Sequence, residues 1–408
     1  MRSGRFLYIG FIVPDGDMDR IFTGETQPQV SAVRFQRSLI QALVSAGASV
    51  EAISTPPIRP YPSNRTAWVP GADYKLADLG VSGHQIAGPN LPIVRSAGRL
   101  IQTVRHGLVK LRTPCDGIFV YSVNTPLLIA ALLLKKLRRV PVFVFIPDLP
   151  LFMGGPSHPV KRLLKRIDDA LARRLLARTD GAFPIVQGIG EDWLGRGPRF
   201  LPVEGTSDEA AEVLSKARST AAYVFRGQHR PRLLYTGAMS QLMAFAHLFH
   251  RSKIEATVVF MGGGEDFGSL QALSQADSRI EVKGFMIGAE LTKEIARADF
   301  LLNPRDPTWP GAAYSFPSKL FEYLRAGKPI ISTRLRGIPP DYFTVFRAID
   351  LDDQPTFEAS LTRALAVDED PDQIWGSAER LAGRLTSLAV GTKILTAIRG
   401  WTTKASHV

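Results

Sequence analysis

Between Leu301 and Pro340 the chain reads LLNPRDPTWPGAAYSFPSKLFEYLRAGKPIISTRLRGIPP, its densest run of residues suited to a phosphorylated ligand. Pro317 fits the first position of a helix, where its missing N–H is not needed. Ser318 and the free amides of the first turn then stand at the positive end of the helix dipole, a ready place for a diphosphate. Lys319 adds a mobile positive charge there, and Arg305, at the end of the preceding strand, a second. Glu322 lies one turn further in. It is placed either to accept both hydroxyls of a ribose or to sit as a solvated acid on an ordinary amphipathic helix.

The elements that must hold these residues follow from apolar patterning. In the first half, RFLYIGFIV, ASVEAIS, DGIFVYS, PVFVFIPD and GAFPIV read as strands. Helical spacing separates most of them, in SAVRFQRSLIQALVSAG, Leu91–Leu111, TPLLIAALLLKKLRR and VKRLLKRIDDALARRLLAR. A loop spans Pro14–Gln29, and residues 55–92, rich in Pro, Gly and Asn, take no clear assignment. The second half restarts the alternation at PRLLYTG and runs to KPIISTR before ending in helices. Apolar strands alternating with helices indicate parallel sheets covered on both faces. The predicted class is therefore α/β, with two doubly wound Rossmann-like domains over residues 1–205 and 206–385, and a helix in 386–408 returning toward the first. Ligands of such sheets bind beyond the carboxyl ends of the strands, which predicts a site in a cleft where two such domains face each other.

Composition narrows the partners. The 408 residues are 45% hydrophobic and 22% charged, with no low-complexity tract, so sizeable cores are expected. The single cysteine, Cys115, excludes a disulfide framework or thiolate zinc cluster and fits a reducing compartment. The longest apolar run, Leu127–Leu134, is far short of the ~20 residues a spanning helix needs. The amino terminus lacks the apolar core of a signal peptide. These features predict a cytoplasmic protein, at most peripheral on the inner face of the cell membrane. Of the net charge of +12, residues 1–205 hold +11, from 26 Lys and Arg against 15 Asp and Glu. The excess concentrates in Arg95–Arg112, Lys135–Arg139 and Lys161–Arg178. Such clusters either attract a polyanion or form a solvated face. No interleaved aromatics or reading motif point to nucleic acid, which leaves an anionic bilayer, with the apolar stripes of these helices in its interface, or a solvated face with those stripes turned to the core.

The run YSFPSKLFEYLRAGKPIIST resembles the donor-binding signature of the family 4-like glycosyltransferases with the GT-B fold, especially bacterial enzymes of exopolysaccharide and lipid-linked glycan assembly. DFLLNPR, FMGGGED and VKGF fall where that family places donor-site loops, and FVFIPDLPLFM and LPVEGT are similar to segments of its acceptor domain. The resemblance implies transfer of a sugar from a nucleotide-sugar donor to a glycan or lipid-linked acceptor at the cytoplasmic membrane face. It places Tyr314, Ser315, Pro317, Ser318, Lys319 and Glu322 at the donor, with Gly263 and Gly264 allowing close approach of the nucleotide. Gly237 either offers its N–H to phosphate or simply turns the strand. Phe285 either lies along the base or packs in the core. Two departures stand out. Glu322 matches the second of the family's paired glutamates, but the first falls on Tyr314. Retaining members also carry Arg and Lys after the first strand of the second domain, where this chain has TGAMSQLMAF. Lys319 and Arg305 are the remaining candidates for neutralising the leaving nucleotide.

An inverting transfer needs a general base. Asp148, at the carboxyl end of strand PVFVFI, is the first candidate, or else a loop aspartate bonding backbone amides. Among Asp15, Asp17, Asp19 and Glu25 of the amino-terminal loop, Asp17 is the middle choice. A retaining enzyme would leave Asp148 to position substrate. The scattered histidines and the absent calcium-loop pattern predict no metal site and no cofactor, and there is neither a Walker loop nor a nucleophile elbow. A sugar-nucleotide epimerase of the same fold and a non-catalytic partner protein are the alternative readings.

Overall fold

The computed structural model describes residues 4–23, 29–92, 94–149, 159–195, 197–227, 229–368 and 370–403, without the side chains of Asp15, Asp19 and 159–162. Glu25 and residues 150–153 of the Asp-Leu-Pro run lie outside the described residues. The chain divides into two compact units, Met1–Thr206 with Thr386–Val408, and Ser207–Leu385.

In the first unit the strands are β1 (Arg5–Gly10), β2 (Ser49–Ser54), β3 (Trp68–Val69), β4 (Ala72–Leu76), β5 (Val81–Gln85), β6 (Gly88–Pro89), β7 (Gly117–Tyr121), β8 (Val142–Ile146) and β9 (Gly181–Pro184). Seven form one sheet in the order β4-β5-β2-β1-β7-β8-β9, and all its pairs are parallel except β4 with β5. β7, β8 and β9 are buried at every position, as strands covered on both faces must be. The unassigned stretch 55–92 thus supplies the antiparallel edge strand β4, its partner β5, and the small antiparallel pair β3–β6. Helices α1 (Met18–Phe22), α2 (Val30–Ser45), α3 (Val94–Lys110), α4 (Thr125–Arg138) and α5 (Pro159–Leu176) accompany the sheet. The Asn124 side chain caps α4 by accepting from Leu127 N, and Arg139 ends it in the left-handed conformation.

The second unit carries β10 (Arg232–Ala238), β11 (Thr257–Gly263), β12 (Ile280–Lys283), β13 (Phe300–Asn303), β14 (Ile330–Thr333) and β15 (Arg347–Ile349). They pair in the order β12-β11-β10-β13-β14-β15, all parallel. Its helices are α6 (Asp208–Ser215), α7 (Ala217–Thr220), α8 (Met243–Arg251), α9 (Phe267–Ala276), α10 (Gly288–Arg297), α11 (Lys319–Ala326), α12 (Gln354–Ala364) and α13 (Pro371–Leu385). Ser207 N donates to Leu385 O at 2.9 Å, tying the two ends of this unit together.

The last helix, α14 (Ser387–Thr403), belongs to the first unit and lies along α2. Their crossing is tight enough that a Cβ on Gly391 would stand 1.8 Å from Ala42 O, so only glycine fits. Val390, Ile394 and Ile398 enter the core that holds Leu39, Leu43 and Phe143, and the Trp401 ring lies 5.2 Å from that of Phe183. No single helix among the described residues is long and apolar enough to cross a membrane. The bent pair α13 and α14 passes only by length and composition, and both helices are largely packed inside their units.

Helices α3, α4 and α5 pack side by side in that order. Apolar residues stand in water on all three: Ile101 is 63% exposed, Leu137 59% and Leu164 59%. The basic helices therefore do not turn all their apolar residues to the core.

Candidate functional site

The second sheet reverses its winding between β10 and β13, and the crevice at the carboxyl ends of those strands is where such a sheet receives a ligand. Lys319, the first residue of α11, reaches into it. Its Nζ donates to Thr236 O, and lies 4.6 Å from the ring centroid and 3.5 Å from Oη of Tyr235. This position exists because Gly237 follows Thr236. Gly237 has φ +110°, and a Cβ there would stand 1.7 Å from Lys319 Nζ. Sequence reading expected a mobile lysine, and the structure corrects this to a half-buried one held against the end of β10. Burial, and next the charge of Arg305, push the ammonium down to about 7, with Glu322 opposing them. An amine held there keeps much of its charge in reserve until an anion arrives.

Two tyrosines fix this end of the sheet. Tyr323 Oη accepts from Thr236 N at 3.0 Å and donates to Leu302 O at 3.3 Å, joining β10 to β13. Tyr235 Oη donates to Ala238 O at 2.5 Å. Both are buried and read in the sequence as plain core residues. Their one visible signal is a tyrosine just before the glycine turn and another four positions after Lys319. The loop after β13 is fixed as well. Thr333 Oγ1 donates to Arg305 O at 2.7 Å, and Asn303 Nδ2 donates to Ser332 Oγ at 2.9 Å.

The remaining candidates border this crevice or lie further along the strand ends. Pro317 is buried, while Ser318 is exposed and makes no side-chain cap at the start of α11. Tyr314 ends a 3-10 turn over Pro310–Tyr314, and Ser315 follows in extended conformation, both half-buried. Glu322 is exposed on the first turn of α11, close enough to act on the charge of Lys319. Gly263 ends β11 beside β10, and Gly264 follows it. Phe285, past the end of β12, is 77% exposed, which removes the core-packing reading. Among the described residues no three His, Cys, Asp or Glu side chains cluster as a metal site would require.

In the first unit, Asp148 stands two residues beyond β8. Its side chain is exposed, yet surrounding protein displaces enough water to push the carboxyl up, to about 6. Burial, and after it the charge of Asp148, raise the Tyr121 hydroxyl at the end of β7. Asp17 is already engaged, since its Oδ1 accepts from Arg20 Nε at 3.1 Å and meets Arg20 Nη2 at 3.0 Å. Gln36 anchors the start of the same loop, accepting from Phe11 N at 2.7 Å and donating to Phe11 O at 3.2 Å.

Residues 230–358 match the family described as Glycosyl transferases group 1. No curated protein matches the chain. Among solved structures, the lipopolysaccharide outer core galactosyltransferase WaaB is similar with a TM-score of 0.61 and 15% identity, over 97% of this chain and 99% of that one. HepE of Anabaena, in complex with UDP and glucose, gives 0.55 and 13%, over 98% and 100%. Sucrose-phosphate synthase of Thermosynechococcus elongatus gives 0.56 and 14%, over 98% and 100%. At these identities the likeness speaks for the fold, and the matched residues contain β10, β11, β13 and α11.

Proposed function

We propose that the chain, whose residues 230–358 match Glycosyl transferases group 1 and whose fold is of the GT-B type, is a glycosyltransferase that moves a sugar from a nucleoside diphosphate sugar to a glycan or lipid-linked acceptor at an anionic membrane face. The observation that carries the donor half is Lys319, lodged at the crossover of the second sheet with its charge held back by burial. As the bond from the sugar to the diphosphate breaks, negative charge grows on the leaving phosphate. Lys319 and Arg305 supply fixed positive charge to meet it, the kind of preorganised stabilisation that lowers a barrier most. With two side chains in that role the transfer needs no metal ion. The exposed start of α11 offers amides to the diphosphate, Glu322 takes the ribose hydroxyls, and Phe285 offers a face to the base. Asp148 is the base that accepts the acceptor's hydroxyl proton. Complexes of HepE with UDP and with UDP-glucose make uridine nucleotides the first probes.

The acceptor half of the proposal draws on α3, α4 and α5, which set exposed Ile and Leu among Lys and Arg. A helix lying in a membrane interface has that composition, and each base near an anionic leaflet adds about 1 kcal/mol. Such a surface suits an enzyme of polysaccharide or cell-envelope glycan synthesis.

The deciding experiment is calorimetric titration with a panel of nucleoside diphosphates, with and without EDTA. Micromolar binding of one nucleotide, unaffected by EDTA and weakened at least tenfold in Glu322→Ala, supports the reading. If none binds, the donor role fails and the chain is better regarded as a non-catalytic partner.

A further inference from the structure

A cavity of about 1710 Å³ opens at the amino ends of the first unit's strands. Gly4, Asp116, Pro141 and Asp180 line it, and each lies just ahead of one of four adjacent parallel strands, β1, β7, β8 and β9. Helix α4, the end of α5 and α14 complete its walls. Substrates of such sheets bind at the carboxyl ends, so this cavity lies at the wrong end of the sheet for the transfer reaction. It also exceeds the roughly 300–1,000 Å³ of ordinary small-molecule sites.

Its walls combine two chemistries. Leu132, Leu133, Leu175, Leu395 and Trp401 supply apolar surface. Against them stand six basic and two acidic side chains. Two of the bases are engaged in the wall itself: Lys135 Nζ meets Asp180 Oδ2 at 2.7 Å and donates to Arg178 O at 2.9 Å, and Arg199 Nη1 donates to Trp401 O at 3.1 Å. The side chains of Lys136, Arg139 and Arg178 are exposed and make no ion pair or hydrogen bond among the described residues. Bases in the last turn of α4 suit a helix carboxyl end and could be no more than that. That reading leaves unexplained the exposed Leu133 and Leu137 on the same turns and the apolar hollow beside them.

We propose that this cavity binds an anionic membrane lipid, its phosphate on Lys136, Arg139 and Arg178 and its chain along Leu132, Leu133 and Leu175. Charge complementarity fixes the class: an uncompensated cationic rim around an apolar wall selects an amphiphile with a negative head over a neutral one. The site needs neither donor nor acceptor, and it goes beyond the transfer reaction. It shares α4 with the surface proposed to lie on the membrane, so the lipid would enter from the leaflet itself.

Cys115, half-buried and the only cysteine of the chain, lines the same cavity. Burial pushes its thiol up, so alkylation is slow, and its rate at fixed pH reports occupancy. Monomeric dodecyl phosphate, below its micellar concentration, is expected to slow alkylation of Cys115 by N-ethylmaleimide at least tenfold. Shortening the chain by two methylenes is expected to raise the half-protecting concentration by about 15-fold. Inorganic phosphate and dodecyl maltoside should protect little. Lys136→Glu combined with Arg139→Glu, at two exposed positions, should weaken protection at least tenfold while keeping a cooperative melting transition, its midpoint lowered only slightly by acids at the helix end. Equal protection by dodecyl maltoside, protection by inorganic phosphate alone, or undiminished protection in the double variant would each overturn the proposal, as would no protection at all. A dimer seen by light scattering, with Cys115 shielded until dilution, would assign the cavity to a second copy instead. Because melting rather than nucleotide binding checks the fold, failure of the donor site and failure of the lipid site can be told apart.

Discussion

Lys319 makes donor binding a proton-linked event whose size can be worked out. Free, its amine sits near 7 because burial and Arg305 oppose its charge. A bound diphosphate brings two negative charges to that ammonium and restores a value near the ordinary one of about 10.5. The complex then holds more protons than the free protein, so affinity must fall as pH rises. If the bound form is always protonated, the association constant scales as 1/(1 + 10^(pH − 7)) with the value of about 7. From pH 6 to 8 that is about a tenfold loss, and by pH 9 about a hundredfold. Proton uptake on binding should rise from about 0.1 at pH 6 to about 0.9 at pH 8. UDP-glucose is the suitable ligand, because its diphosphate does not titrate in this window. Calorimetry at pH 8 in Tris and in HEPES, whose ionisation enthalpies differ, measures the uptake directly. Lys319→Met should abolish both uptake and slope, and lose about 10- to 100-fold in affinity at pH 6, as for a charged hydrogen bond. A wild-type affinity flat from pH 6 to 9, with no uptake, would refute the role given to this lysine.

Three further outcomes are expected. Asp148→Asn should lower kcat by about 10²–10⁴ with donor Kd nearly unchanged, and steady-state kinetics should show the rising acid limb near pH 6 disappear with it. Gly237→Ala should destabilise the protein by about 1–3 kcal/mol and abolish UDP binding, because the new methyl takes the place of Lys319 Nζ; thermal melting and calorimetry read the two effects. Co-sedimentation with vesicles should require anionic lipid and weaken from 50 to 500 mM salt, and equal pelleting with neutral vesicles would count against the role of α3–α5.

Much of this molecule was legible in its sequence because the strands of both sheets are buried on two faces and must be continuously apolar. Where that constraint lapses, so does the signal. β3 and β6 are two residues each, too short for a period, with β6 made of Gly88 and Pro89, and the edge strand β4 is mostly exposed, so residues 55–92 showed no period. The α11 run was legible from its Pro-Ser-Lys start, but the setting of Lys319 was not. A first-turn lysine normally points to water, and its burial depends on Gly237, some eighty residues earlier. The wall of the lipid cavity was illegible for a related reason. It is assembled from the residues just ahead of four strands together with the last helix, and no single segment carries its pattern.

The first unit is discontinuous in the chain, and that has a consequence for how the protein is made. A ribosome adds about 5–20 residues per second. After the last strand of the first sheet has emerged, roughly 10–40 seconds of translation pass before α14 is available to lie on α2 and bring Trp401 against Phe183. The donor-side unit is continuous and can fold during that interval. The other must wait with an apolar face open, as a client for whatever holds nascent chains. A stop codon that removes only α14 would leave every donor-side candidate residue intact and still prevent the amino-terminal unit from closing its core. Such a truncation should accumulate as insoluble chain, whereas residues 207–385 expressed alone should remain soluble and bind nucleotide.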